Sequence, residues 1–246
     1  MDTGEYNRRY YSEVFDKNAD KYYRIQKKKI DVVLSLLEKH KNGKVLDLGC
    51  GDGLISSLLA NVTGAKIYGV DISSMAVEKA KKRGIIAKVF DMNKDGLAFE
   101  KNTFDAIFCG DLLEHLYDTE KLLENVNLML KPNGYLIISV PNIASWYNRG
   151  FLLLGMMPTW IESSLKTYTG YPLIKEGMGH IHAFTKSSLV DLLILKGFSI
   201  ENVKGSPVLA DGSRPGWKEK LWNGTDSFFS KKATLASTLI VKAKKN

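Results

Sequence analysis

At 246 residues, 44% hydrophobic and 25% charged, the chain has room for one globular domain with an elaboration and a sizeable core. The longest strongly apolar run, Phe151 to Met157, is too short to cross a bilayer, and the Met1-Asp2-Thr3-Gly4-Glu5 start lacks the pattern of a secretory leader. The net charge of +8 would suit an anionic partner, yet the lysines are dispersed, so solvated faces are the preferred explanation and nucleic acid is not an expected partner.

The two cysteines, Cys50 and Cys109, each adjoin a glycine at a strand end. They read as free buried thiols, from which a cytoplasmic location is expected.

Residues 1–40 begin with scattered aromatics (Tyr6, Tyr10, Tyr11, Phe15, Tyr22, Tyr23). Ile30, Val33, Leu34, Leu36 and Leu37 then mark an amphipathic helix that Asn42-Gly43 stops. Strands and helices alternate from there. Val45–Leu48 is a strand and Leu54–Asn61 a crossover helix. Lys66–Val70 is a strand ending at Asp71, followed by a helix capped by Ser73 or Ser74 and closed at Gly84. Ile85–Phe90 ends at Asp91, and Phe104–Cys109 at Gly110-Asp111. A helix over Thr119–Leu130 stops at Pro132-Asn133-Gly134, and Tyr135–Val140 is the fifth strand.

Residues 143–183, rich in Trp, Leu, Met, Gly and Pro, break the rhythm and read as an inserted cap. A helix over Lys186–Leu195, a strand over Phe198–Val203, an irregular excursion from Pro207 to Asn223 and a strand over Thr234–Val241 complete the chain. The last two strands would pair antiparallel at one edge. The expected fold is therefore α/β: a doubly wound, mostly parallel seven-stranded sheet with an antiparallel edge strand and a helical cap. It forms a single domain: 1–40 a lid, 41–142 a cofactor-binding half, 143–183 the cap and 184–246 the completion of the sheet.

Ligands of such sheets bind at the carboxyl ends of the strands. Asp47 to Gly53, Asp71, Asp91 and Gly110-Asp111 all fall there. Asp71, 22 residues after Gly49, is placed to accept from ribose hydroxyls. Asp91 would accept from an adenine amino group, with Met92 over the ring, while Gly49 and Gly51 admit the cofactor's tail and Asp47 anchors an ammonium. Two acids at the glycine turn, Asp47 and Asp52, disfavour a pyrophosphate and suit a zwitterionic ligand. The G-x-G-x-G spacing likewise disfavours a dinucleotide.

On these residues the chain resembles the S-adenosylmethionine-dependent methyltransferases of the Rossmann-like class. The matching pieces are Val45 to Gly53, Val70 to Ser73, Asp91-Met92, Phe104-Asp105 through Leu116, and Leu130 to Leu136, with a weaker likeness over Phe15 to Tyr22. The resemblance implies S-adenosylmethionine as cofactor, held by Asp47, Gly49, Gly51, Asp71, Ile72, Asp91, Met92, Gly110 and Asp111. It also implies transfer of the methyl group by in-line displacement.

An acceptor hydroxyl needs a base, for which His115 and His182 are the candidates; His115 serves equally as a neighbour of the adenine edge. Asp111, Glu114 and His115 share one side of a helix, and the segment from His180 to Thr185, with His182, would close over it. This resembles the Glu-x-x-Glu-His set that holds a divalent ion in methyltransferases of small-RNA 3′ ends and of quinone precursors, with Asp111 in place of the first Glu. A capping box explains Asp-x-x-Glu without an ion and is preferred, so no metal is assigned.

The expected activity is methylation of a small organic acceptor, at oxygen, with a partly lipophilic acceptor suited to the apolar cap. Methylation of RNA or protein is the alternative, which salt-dependent RNA binding would reveal.

Overall fold

The computed structural model describes residues 16–94, 96–164, 179–210, 212 and 215–246, with side chains from Tyr23 onward. Tyr6, Tyr10, Tyr11, Phe15, the Tyr22 side chain and the loop-like stretch 168–178 fall outside the described residues. The elements in order are α1 (Asp16–Leu36), β1 (Lys44–Leu48), α2 (Leu54–Thr63), β2 (Lys66–Asp71), α3 (Ser74–Lys82), β3 (Ile86–Val89) and β4 (Phe104–Gly110). A 3₁₀ turn, Leu113–His115, precedes α4 (Thr119–Met129), β5 (Leu130–Pro141), α5 (Trp146–Leu153), α6 (Lys186–Leu195), β6 (Phe198–Ser206), α7 (Gly216–Phe229) and β7 (Thr238–Lys245).

The strands form one sheet in the order β3-β2-β1-β4-β5-β7-β6. β1 to β5 pair in parallel, and β7 runs antiparallel between β5 and β6. Both faces are covered, because successive side chains of a strand point to opposite sides. Leu46, Ile107 and Leu136 pack with Leu123 of α4 and Leu189 of α6. Val45, Ala106 and Ile137 pack on the other side with Val33 of α1, Leu59 of α2 and Val77 of α3.

Local chemistry sets the joints. Ser73 caps α3 by accepting from the Ala76 amide. Gly53 begins α2 in the left-handed region at φ 81°, and a Cβ there would lie 2.8 Å from the Ala80 backbone, so glycine alone lets α2 and α3 approach.

Three stretches differ from expectation. Residues 130–134, read as a helix end and a stop before a strand from Tyr135, already belong to β5, which begins directly after α4. Residues 216–223, read as irregular, belong to α7, which tertiary contacts hold in place despite Gly216, Asn223 and Gly224: Trp146 Nε1 donates to Asp226 and Trp222 Nε1 to the Val208 carbonyl, each at 2.9 Å. The last strand begins at Thr238 rather than Thr234 and runs on through the lysines. Lys242 is buried there because it pairs with Glu38 and Glu201 and lies over the Tyr135 ring at 4.4 Å.

Candidate active site

At the carboxyl end of β1 the chain turns through Gly49 and Gly51, both at positive φ. The turn uses its own amides. Gly49 and Cys50 donate to the Val70 carbonyl at 2.8 and 3.0 Å, and Gly51 donates to Asp71 Oδ2 at 2.9 Å. Asp52 accepts from the Leu54 amide at the start of α2, from Tyr23 and from Arg83. With those amides committed and a carboxylate at the helix start, the turn offers no cradle for a phosphate.

Asp71 is fixed by the Gly51 amide and by the Ser73 amide at 2.8 Å, and burial raises its pKa although these amides oppose the shift. Its carboxylate is thus aimed before any ligand arrives, and each oxygen keeps a lone pair for a diol.

One cavity runs along these strand ends. Gly49, Asp71, Ile72, Asp91, Met92 and Asp111 line it, together with Glu114, His115, Trp160 and His180. Asp47, Gly51 and Gly110 do not. Asp47 lies beneath the turn, bonded to Ser56 at 2.5 Å, with its carboxyl raised to about 7 chiefly by burial. Gly51 meets the cavity only indirectly, through the amide it gives to Asp71. A Cβ at Gly110 would lie 2.4 Å from the Phe108 ring, so this glycine makes room for that ring.

The far end of the cavity gathers titratable groups. Glu114 is 1% exposed, and among the described residues neither of its carboxylate oxygens has a hydrogen-bond partner. Burial and the neighbouring Asp111 push its pKa well up, with Lys29 pulling the other way. His115 shares a ring contact of 4.7 Å with His180, and its Nδ1 lies 3.1 Å from the Gly179 carbonyl. Donation there leaves the Nε2 lone pair free. Burial lowers the His115 pKa to about 4, so the ring is neutral at ordinary pH and would be a weak general base. His180 is buried, with Nδ1 3.3 Å from Glu162 Oε1 and its amide donating to Glu162 Oε2 at 2.7 Å. One ligand atom each from Glu114, His115 and His180 fall within 4.8 Å of one another.

The Asp111/Glu114 capping box does not form: the N-cap of the 3₁₀ turn is Leu112, and no side chain caps it. Asp111 instead accepts from Ser139 at 3.0 Å and pairs with Lys29, which is 3% exposed. An unpartnered buried carboxylate beside a neutral imidazole with a free lone pair and a second histidine suits a divalent cation. His182, named from the sequence as a candidate base, is not brought to this cluster. It faces the Tyr117 carbonyl at 3.3 Å, and His180 takes the inward position.

Lys29, Gln26, Glu162 and Val208 were not singled out from the sequence. Lys29 carried a signal, since it lies one turn before the buried Val33 on the inward stripe of α1. The others reach the site only through tertiary contacts.

Comparison with known proteins agrees with this geometry. The profile of a family described as a methyltransferase domain matches residues 18–203. A ubiquinone biosynthesis O-methyltransferase of Pasteurella multocida is 33% identical over 127 residues, which cover 44% of this chain and 52% of that protein. The chain spans about half the length of the curated relatives it matches. Among solved structures, a SAM-dependent methyltransferase of Thermotoga maritima superposes with a TM-score of 0.64 at 19% identity, covering 97% of this chain and 100% of that one. The phosphoethanolamine N-methyltransferase 2 of Haemonchus contortus, solved with S-adenosyl-L-methionine, gives 0.63 at 18% identity over 97% and 59%. The strand-end carboxylates, the glycine turn that offers no phosphate cradle and the family match lead to one conclusion: this chain belongs to the methyltransferase-domain family, among the S-adenosylmethionine-dependent methyltransferases of Rossmann-like fold.

Proposed function

We propose that the chain methylates a hydroxyl oxygen of a small, partly lipophilic acceptor, with Glu114, His115 and His180 holding a divalent cation. The observation that carries this reading is the single cavity joining Asp71 and Asp91 at one end to that cluster at the other. Asp71 would hold the cofactor's ribose, with Asp91 and Met92 at its adenine. Bound in this way, S-adenosylmethionine supplies an electrophilic methyl carbon. The cation, when present, lowers the pKa of a hydroxyl beside it.

The remaining work falls to the chain. Glu114 brings a buried carboxyl that no described donor satisfies and that a bound cation would hold in its ionised form, and His115 brings a lone pair fixed by Gly179. Glu162 accepts from the His180 amide and so holds the backbone that carries the ring. Ile25, Leu116, Pro141, Trp160 and Val208 give the acceptor end an apolar wall that excludes water. Gln26 lines the same wall, and its Oε1 is buried without a described partner, ready to accept from an acceptor hydroxyl.

The test is transfer of a labelled methyl group from S-adenosylmethionine to a panel of hydroxylated aromatic acceptors, with and without a chelator. An O-methyl product whose formation the chelator suppresses is expected. Methylation at nitrogen or carbon, or indifference to the chelator with restored and stripped protein alike, would refute the assignment.

A further inference from the structure

α7 carries an apolar stripe that neither the core nor the cavity uses. Trp217, Leu221 and Phe228 are 66%, 63% and 65% exposed. At about 100° per residue they fall within about 40° of one another around the helix, opposite the buried Asp226. Every exposed charge in 215–232 is a lysine, since Glu219 is half-buried and Asp226 buried. Two of these cations flank the rings: Lys218 Nζ is 5.4 Å from the Trp217 centroid and Lys231 Nζ 5.9 Å from that of Phe228. Next door, α5 stacks Trp146 on Phe229 at 5.1 Å and runs into Leu152, Leu153 and Leu154, which are 57%, 87% and 76% exposed.

A protein-binding patch would be depleted of lysine and carry arginine or mixed charge. Tryptophan, leucine and phenylalanine on one side of a helix, edged only by lysine, match the boundary between acyl chains and anionic headgroups. We infer that α7 is an interfacial helix that seats this chain on an anionic lipid surface.

The helix also touches the catalytic cavity at one remove. Trp222 donates to the Val208 carbonyl, and the Val208 amide donates to Asp226 at 2.8 Å. Val208 is itself part of the cavity wall. A seated α7 would therefore set the wall at the acceptor end beside the bilayer, where a lipophilic acceptor resides. That last step rests on the proposed acceptor class; the docking does not.

The experiment is flotation of the whole chain with phosphatidylcholine vesicles made with and without phosphatidylglycerol. Partition into the anionic vesicles should be at least about tenfold stronger and should weaken with salt. The Trp217→Ser/Leu221→Ser/Phe228→Ser variant should lose at least about tenfold of it. Charge reversal by Lys218→Glu/Lys220→Glu/Lys231→Glu should abolish the preference for anionic lipid. None of the six residues lines the cavity, so unchanged calorimetric binding of S-adenosylhomocysteine certifies each variant's fold; should the apolar variant misfold, the lysine variant decides. Absence of binding to either vesicle, or equal binding by parent and both variants, overturns the inference. So does sedimentation showing that the stripe closes a dimer of this chain which the variants dissolve. None of these outcomes bears on methyl transfer, which is scored with water-soluble acceptors.

Discussion

Replacing Glu114 by Gln separates what this carboxylate does for the reaction from what it costs the fold. The side chain is 1% exposed, lacks a described donor, and sits near Asp111. A buried polar group left unsatisfied costs about 1–3 kcal/mol, and more if charged. Glutamine keeps the shape and removes the charge. We expect it to recover about 1–3 kcal/mol at pH 8, which at roughly 2–4 °C per kcal/mol for a chain of this length raises Tm by about 2–12 °C. The pH dependence has a fixed sign. The folded-state pKa of Glu114 is raised, so its contribution to stability is fully present below the unfolded value and is lost as pH rises through the folded one. The advantage of Gln should accordingly vanish near pH 4 and grow toward pH 9. Scanning calorimetry across that range, on chelator-treated protein, reads it directly. Adding a divalent cation should then raise the Tm of the parent by mass action and leave the variant unmoved. A variant less stable at every pH, or one that gains as much from the cation as the parent, would refute the reasoning.

Asp71→Ala should weaken S-adenosylhomocysteine binding at least tenfold, about 1.4 kcal/mol or more, by titration calorimetry. Because Asp71 also holds the Gly51 and Ser73 amides, about 1–3 kcal/mol of stability should go with it, and unchanged affinity would count against the ribose role. Asp47→Asn should flatten the fall in stability between pH 4 and 7: the folded carboxyl titrates at about 7, so its contribution is whole below about pH 4 and gone above 7, a swing on the order of 4 kcal/mol. Parallel pH profiles for parent and variant would contradict this. Lys29→Met should cost about 3 kcal/mol in denaturant unfolding by stranding Asp111, and adding Asp111→Asn should restore most of it; additive losses would show that the Lys29–Asp111 pair is not coupled. His180→Ala should cut turnover at least about a hundredfold while His182→Ala leaves it within about twofold, and the reverse order would return His182 to the site.

The first five strands and their helices were legible because each was written in local chemistry. β1, β4 and most of β5 are buried on both faces and so read as near-continuous apolar runs, and Ser73, Gly84 and Gly197 mark helix ends within one or two residues. α7 was not legible, since glycine and asparagine in its middle argue against a helix and the tryptophans that hold it make contacts 14 to 80 residues away. In the site, the aspartates could be found because strand ends locate them. The choice between His180 and His182 could not. It depends on how residues 179–184 turn as the Ile181 and His182 amides both reach the Glu114 carbonyl, at 2.8 and 3.1 Å, and no local pattern encodes that turn.

The charge arrangement favours the proposed direction of reaction. Transfer of a methyl group from a sulfonium to an oxyanion turns two charged reactants into two neutral products, so a cavity poor in water helps provided it can first hold both charges. The chain supplies the means separately at each end. Asp71 and Asp91 would face the cationic cofactor, while Asp111, which lines the same cavity, is paired with Lys29. That leaves Glu114 with two histidines, one of them kept neutral with a pKa near 4, as the group to which a cation would bring net positive charge while displacing the carboxyl proton. Beside Glu114 alone an acceptor hydroxyl would meet no positive charge and keep its proton; beside the loaded cluster it would ionise more readily.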